Sequence, residues 1–388
     1  MQHSTYELEF SAFLGQDVKA YAFWKGRVAF YAILKALGIG PGDEVILPAF
    51  TCVVVPNAIR MAGGRPVYVD ITTGSFNLDP RQVERMISPR TKIILLQHTF
   101  GIPAPTAEVL DLADRYQLHL VEDCAHALGS FNNGQHVGLS GKAAFFSSQW
   151  SKPVITGLGG VAVTRDEGLA RRLAEIKTQF QLPPLGVRGK LLVQYLLYAS
   201  FFRPQLFWLS QALIRVLSRL GLFVGSSSSA ELNGDLPHDH EWVMPAYQHR
   251  IGQKQIGAVQ SSIARRKALT KLYESRLAAA GWQIAPNQPE ITLVRYPVKV
   301  ANKEELLGSA SNRGIELGSW FETPLHPVPL DRHAAFQFEV GRYPQAELAA
   351  RQTINFPLHA RVSDGYARKV VEYVIQYGRP ANGDLSHL

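Results

Sequence analysis

Four short apolar runs rich in β-branched residues, Val45 to Ala49, Pro66 to Ile71, Lys92 to Gln97 and His119 to Asp123, alternate with stretches of helical spacing. This alternation is the feature that most constrains the fold, because strands joined through helices pair in parallel and are covered on both faces. The spacing predicts the intervening helices at Val53 to Met61, Pro80 to Ile87 and Pro105 to Leu118. Upstream, Val28, Phe30, Ile33, Leu34 and Leu37 predict a helix from Gly26 to Leu37, ended by Gly38 and Gly40-Pro-Gly42. Downstream, Ala143 to Ser148 and Gly160 to Thr164 read as further strands, and Asp166 to Phe180 as a helix. The first 180 residues thus predict one large α/β domain.

Residues 182–240 break the rhythm. Leu191 to Phe202 carries no charge, nor does Gln205 to Ile214, while Arg215 and Arg219 sit four apart on one helical face. Neither half approaches the roughly 20 apolar residues that span a bilayer, and Arg203-Pro204 interrupts the join. The segment is a helical insertion that packs on protein or lies in a membrane interface, its arginines toward anionic headgroups. Beyond it the pattern predicts a long helix from Ala246 to Ala280, a strand from Thr292 to Val300, and helices at Lys303 to Asn312, Gln345 to Thr353 and Ser363 to Tyr377. Strands and helices in that order make a smaller α+β unit.

With 388 residues, 46% of them hydrophobic, the chain can bury a large core. The net charge of +8 favours an anionic partner, yet the longest basic run is Arg265-Arg266-Lys267. No basic stripe or nucleic-acid motif is present, so a phosphorylated small molecule or an acidic lipid surface fits better than nucleic acid. The two cysteines, Cys52 and Cys124, offer neither a disulfide framework nor metal-ligand spacing. Residues 1–20 hold Glu7, Glu9 and Asp17 and no unbroken apolar core. The expectation is a cytoplasmic protein without a resident metal.

Two charges stand at neighbouring strand ends. Leu120-Val-Glu-Asp-Cys-Ala-His126 ends a predicted strand in Asp123, and Phe145-Phe-Ser-Ser-Gln-Trp-Ser-Lys152 places a lysine just past the next, ahead of Gly157-Leu-Gly-Gly160. Open α/β sheets build their sites at the carboxyl ends of strands. Taken alone, Asp123 also suits a strand-end cap and Lys152 a solvated loop. Likewise, Lys25-Gly26-Arg27 before the first helix is either an ordinary turn or a set of free backbone N–H groups for a phosphate.

Taken in order, Gly40-Pro-Gly-Asp-Glu-Val-Ile46, Pro48-Ala-Phe-Thr51, Asn57-Ala-Ile59, His98-Thr-Phe-Gly101, Glu122-Asp-Cys-Ala-His126, Phe146-Ser-Ser-Gln-Trp-Ser-Lys152, Gly159-Gly160 and Asn355-Phe-Pro-Leu358 resemble the sugar aminotransferases of the DegT/DnrJ/EryC1/StrS family. The resemblance implies an aspartate-aminotransferase-like fold (fold type I): a large α/β domain with a mostly parallel central sheet, and a smaller α+β C-terminal domain. We place these at residues 1–245, insertion included, and 246–388. It implies pyridoxal 5′-phosphate (PLP, or its amine form PMP) as cofactor. Lys152 then corresponds to the lysine that forms a Schiff base and carries the proton, and Asp123 to the carboxylate at the pyridine nitrogen. His126 corresponds to the residue near the ring's 3-hydroxyl, and Ser147, Gly26 and Arg27 to the phosphate site.

Three positions depart from the family pattern. Arg27 replaces a hydroxyl residue and keeps only its backbone N–H, with its guanidinium on the phosphate or in solvent. Cys52 replaces an aromatic residue that stacks on the ring, so stacking must come from elsewhere, with Phe50 the candidate. Gln248 replaces the asparagine of an Asn-x-Arg motif that reaches the neighbouring subunit's cofactor phosphate. By resemblance the protein is a homodimer, and His98, Trp320, Phe321 and His326 fall where relatives line the substrate pocket. Read alone, Trp320 and Phe321 suit a core pair, His326 the surface, and His98 a strand end.

Lysine at 152, where dehydrating relatives carry histidine, implies transamination. The donor implied is glutamate or glutamine, and the acceptor a keto-sugar, nucleotide-linked, for polysaccharide, lipopolysaccharide or natural-product synthesis. Competing readings are a cyclitol or other ketone aminotransferase, and a regulatory or scaffold protein at a membrane through residues 190–224.

Overall fold

The structure, a computed structural model, describes residues 3–201, 207–219, 221–235, 237–284 and 287–381. It opens with α1 (Thr5–Leu14), started by a capping box in which the Ser4 hydroxyl accepts from the Glu7 N–H and the Glu7 carboxylate accepts from the Ser4 N–H. There follow β1 (Lys19–Phe23), α2 (Gly26–Ala36), β2 (Glu44–Pro48), β3 (Thr51–Cys52), α3 (Val54–Met61), β4 (Arg65–Val69), α4 (Pro80–Met86), β5 (Thr91–Gln97), α5 (Thr106–Arg115) and β6 (His119–Asp123). A small hairpin, β7 (Phe131–Asn132) with β8 (Gln135–His136), precedes β9 (Ala143–Ser147), β10 (Gly160–Thr164) and α6 (Glu167–Gln179).

Seven of these strands form one sheet in the order β1-β10-β9-β6-β5-β2-β4. β2, β4, β5 and β6, joined through helices, and β9, reached from β6 through residues 124–142 and the β7–β8 hairpin, run parallel, whereas β10 is antiparallel to both β9 and β1. β9 and β10 are linked by residues 148–159, which hold no element that carries the chain back to its starting end. That loop therefore projects from the carboxyl end of β9, and it carries Lys152. On one sheet face Val28, Phe30, Ile33 and Leu34 of α2 pack with Leu47 and Phe145; on the other, Val109 and Leu112 of α5 pack with Ile46 and Ile94.

The insertion forms α7 (Leu185–Phe201), α8 (Phe207–Arg219) and the short α9 (Ser229–Leu232). The expected join at Arg203-Pro204 and Gln205, and the side chain of Arg215, lie outside the described residues. The inner face of α7 packs on the lysine loop: Leu191 is fully buried, and the Tyr198 ring lies 4.8 Å from that of Trp150. Its outer face exposes Leu192, Val193 and Leu196. Among the described residues no helix is long and apolar enough to cross a membrane.

The helix expected from Ala246 to Ala280 is two, α10 (Ala246–Gly257) and α11 (Val259–Ala279), parted at Ala258. α10 is held against α1, where Gly252 gives the Tyr6 ring room that a Cβ, only 2.9 Å away, would take. The chain continues through β11 (Arg295–Lys299), α12 (Lys303–Asn312), β12 (Leu325–His326), α13 (Pro344–Gln352), β13 (Thr353–Pro357) and α14 (Asp364–Tyr377). β11 and β13 pair antiparallel over a separate core of Leu269, Tyr273, Phe356, Val370 and Val374. Ile256 and Ile263 pack with α1, and Phe321, Phe336 and Ala346 return to the core of the large sheet.

Candidate active site

A cavity of about 450 Å³ opens at the carboxyl ends of β5, β6 and β9. Gly26, Arg27, Cys52, His98, Asp123, His126, Ser147, Lys152, Trp320, Phe321 and His326 all line it; Gln248 does not.

Lys152 rides a tightly clamped loop. The Ser148 hydroxyl meets that of Thr156 at 2.8 Å, the Ser148 N–H donates to the Gly159 carbonyl, and a Cβ at Gly159 would fall 2.2 Å from Ser148 Oγ. Ser151 adopts a positive φ of 74° that a non-glycine residue rarely takes. Arg266 holds it there, donating to the Ser151 carbonyl at 2.8 Å and to that of Val294 at 2.7 Å. The ammonium of Lys152 lies 4.8 Å from the Trp320 ring centroid and makes no hydrogen bond among the described residues. Burial lowers its pKa to about 7, and nearby Asp123 pulls the other way. Near neutrality a good part of this amine is therefore unprotonated and nucleophilic.

Asp123 ends β6 facing the same cavity. Its Oδ1 accepts from the Ala125 N–H at 2.9 Å, and burial raises its pKa to about 6. His126 is neutral, its pKa held well below the usual value by burial and by Lys152 and Arg295. Its Nδ1 accepts from the Phe100 N–H at 3.2 Å, which fixes the proton on Nε2 as a donor. His98 has no such freedom. One ring nitrogen is 2.9 Å from the Glu122 carboxylate and the other accepts from the Ala104 N–H, so it braces the cavity wall and has no nitrogen left for substrate.

At the other end, α2 begins without a side-chain cap, so the N–H groups of Gly26 and Arg27 have no acceptor among the described residues. The Ser147 hydroxyl lies beside them, and a Cβ on Gly160 would sit 2.4 Å from the Lys25 carbonyl. The guanidinium of Arg27 points neither to solvent nor to an open anion site. It is 2.8 Å from buried Glu231 and donates to the Ser226 carbonyl at 2.6 Å. Lys25 pairs with Asp239 at 2.5 Å, and burial with neighbouring Arg27 lowers its pKa to about 8.

Cys52 lines the cavity with its thiol pKa pushed up by burial. Phe50 does not replace it as a stacking surface, being packed beneath the site against Phe76, Phe100 and Phe321. The aromatic face comes from Trp320, which lies parallel to His126 with ring centroids 5.2 Å apart. Phe321 stacks on His326 at 5.2 Å, and burial, with Lys303 and Arg295, lowers the His326 pKa to about 3. The Lys303 ammonium, unmarked by any sequence pattern, donates to the carbonyls of Ser319, Phe321 and Ala350 and so fixes this aromatic segment.

Gln248 is fully buried in its own protomer, its amide donating to the carbonyls of Thr156 and Leu158. With its N–H groups spent on the lysine loop, this conformation leaves no side-chain donor free for a neighbouring subunit's phosphate. Sequence reasoning also missed Arg266, Glu231 and Asp239. Arg266 belongs to the longest basic run, and the two acids lie in the segment 182–240 taken as an insertion, where nothing in the spacing marks them.

A buried lysine facing a strand-end carboxylate, with a helix N-terminus beyond, defines an enzyme of the PLP-dependent aminotransferase class. The chain belongs to the DegT/DnrJ/EryC1/StrS aminotransferase family, whose profile matches residues 2–182 and 214–375. It is 29% identical over 376 residues to a dTDP-3-amino-3,4,6-trideoxy-alpha-D-glucose transaminase of Streptomyces venezuelae, covering 96% of this chain and 86% of that protein. It is 27% identical over 377 residues to a pleiotropic regulatory protein of Geobacillus stearothermophilus (94% and 88% covered). Among solved structures it resembles S. venezuelae DesV with a TM-score of 0.72 at 28% identity (96% and 88% covered). The PLP form of Spr1654 from Streptococcus pneumoniae, 22% identical, shares the fold at a TM-score of 0.72 (97% and 90% covered).

Proposed function

We propose that the protein transfers an amino group from glutamate or glutamine to a keto-sugar carried on a nucleotide, working as a homodimer with PLP. One observation carries this reading: Lys152 and Asp123 face a single cavity whose far end holds unpaired backbone N–H groups and the Ser147 hydroxyl. The residues fit the cofactor, since Gly26 and Gly160 leave room that side chains would fill and the free donors suit a phosphate. When bound, PLP supplies an electron sink that stabilises negative charge on the substrate carbon. The chain supplies the rest. Asp123 would hold the ring nitrogen, where its anion would favour a proton. The Nε2–H of His126 would be available to the 3-hydroxyl oxygen, and Trp320 would help exclude water. The Lys152 amine, in good part unprotonated near neutrality, would serve as the group that accepts and returns a proton.

Nucleotide-sugar aminotransferases among the relatives support the acceptor class, including the S. venezuelae enzyme named above. A membrane contact through residues 190–224 is supported by the exposed Leu192, Val193, Leu196, Leu213, Val216 and Leu222. It is also supported by charge: residues 176–230 contain no aspartate or glutamate but include Arg188, Lys190 and Arg219.

The test is borohydride reduction of the PLP-loaded protein with peptide mapping, followed by a panel of nucleotide-keto-sugars read by mass spectrometry. The reduced adduct is expected on Lys152, and an adduct elsewhere, or none, removes the enzymatic reading. Capture on Lys152 without amino transfer from any amino acid favours a regulatory role.

A further inference from the structure

A second cavity, about 440 Å³, adjoins the first and shares Gln149, Phe223 and Trp320 with it. Its outer wall is apolar and built by the insertion: Leu197 and Tyr198 of α7, and Leu213, Ile214 and Leu217 of α8. The family profile skips residues 183–213, so much of this wall belongs to this chain and not to the shared fold.

Both walls present hydrogen-bond donors with nothing to receive them. Nε and Nη1 of Arg295 and Nε1 of Trp150 on the inner wall, and Nε2 of Gln194 on α7, are all buried without a partner among the described residues. Glu316 lines the same cavity but makes no ion pair with Arg295; its carboxylate lies 3.4 Å from His359 Nε2. Buried polar groups rarely stay unpaired, and an excess of N–H donors around a guanidinium calls for anionic oxygen. The Arg295 guanidinium stands 4.8 Å from the Trp320 ring, and the Lys152 ammonium is at the same distance from that ring. A ligand seated on Arg295 thus borders the same indole as the reacting amine.

We propose that this cavity is a substrate subsite for an amphiphile, in which an anionic group, phosphate or carboxylate, sits on Arg295, Trp150 and Gln194 while an apolar chain lies against α7 and α8. A keto-sugar carried on such an amphiphile, in place of a nucleotide, would then present its ring to Lys152 past Trp320. This orientation rests on the catalytic reading of the first cavity, whereas the binding itself does not.

The test uses the PLP-loaded full-length protein and calorimetric titration with four probes: decyl phosphate below its micellar concentration, decanoate, decanol and inorganic phosphate. Decyl phosphate or decanoate is expected to bind at one site per chain, at least about tenfold more tightly than decanol or inorganic phosphate. Which of the two binds better identifies the head group. Arg295→Met is expected to weaken the anionic probe about tenfold or more and leave decanol unchanged. Leu217→Trp, which fills the cavity without adding charge, should weaken both. Leu192→Ser with Leu196→Ser, on the outer face of α7, should change neither. Absence of saturable binding to the wild-type protein overturns the proposal, as does binding indifferent to both Arg295→Met and Leu217→Trp. No turnover is needed, so failure here is distinct from failure of the aminotransferase reading.

Discussion

Arg27 and Glu231, 204 residues apart in the chain, meet at 2.8 Å in the wall of the catalytic cavity, with the Glu231 side chain wholly shielded from solvent. The pair thereby ties the start of α2 to α9. Asp239 supports the pair at 3.7 Å from Arg27. Glu231→Gln should cost about 3 kcal/mol in denaturant unfolding, because a buried guanidinium loses its closest counter-charge. The double variant Arg27→Met with Glu231→Leu should cost much less than the sum of the single changes. Strict additivity would show that the two residues act separately.

The pKa of Lys152, lowered to about 7, sets a pH profile. The rate at which the protein captures added PLP, followed by absorbance, should rise through about pH 7 as the amine loses its proton. Asp123 favours the protonated form, so Asp123→Asn should move the midpoint to lower pH, while turnover falls on the order of 10²–10³-fold. A midpoint that stays, or moves up, contradicts the assigned proximity. Stability follows the same titration. Unfolded lysine holds its proton to about pH 10.4, so between about pH 7 and that value the unfolded chain binds more protons and stability from this group rises with pH.

Gln248 separates two roles. If it clamps its own lysine loop, Gln248→Leu should lower unfolding stability by about 2 kcal/mol or more, because two buried carbonyls lose their donor. PLP affinity should fall with it. A loss of PLP affinity at unchanged stability would point instead to contact with a neighbouring subunit's phosphate.

The exposed apolar face of α7 and α8 predicts flotation with liposomes containing phosphatidylserine and not with neutral ones. Leu192→Ser with Leu196→Ser should reduce the floated fraction, and added salt should reduce it further. Equal flotation of the two proteins on both membranes removes the idea of an interfacial contact.

The α/β core was legible because its strands are buried on both faces and read as unbroken apolar runs, such as Lys92 to Gln97. Lys152 and Asp123 were legible through the ordered motifs around them. β13 was not, since Thr353–Pro357 abuts α13 without a turn signal, and the predicted helix Gln345 to Thr353 overlaps only its first residue. The break at Ala258 was equally silent: α10 and α11 each keep helical spacing, and only docking of α10 onto α1 sets the change of direction. The partners of Arg27 could not be found locally, because an ion pair spanning 204 residues leaves no trace in periodicity. Phe50 misled because it lies ahead of β3 (Thr51–Cys52), outside the regular alternation that puts residues two apart on one face.

The carbonyl of Ser226 accepts from both Lys25 and Arg27, and Asp239 and Glu231 complete their neutralisation. Ser226, Glu231, Asp239 and the turn ahead of α2 therefore form one charge-balanced unit. Transplanting residues 225–239 from a relative with a hydroxyl at position 27 would leave two adjacent cations uncompensated in the interior, so any chimera has to exchange positions 25 and 27 along with it.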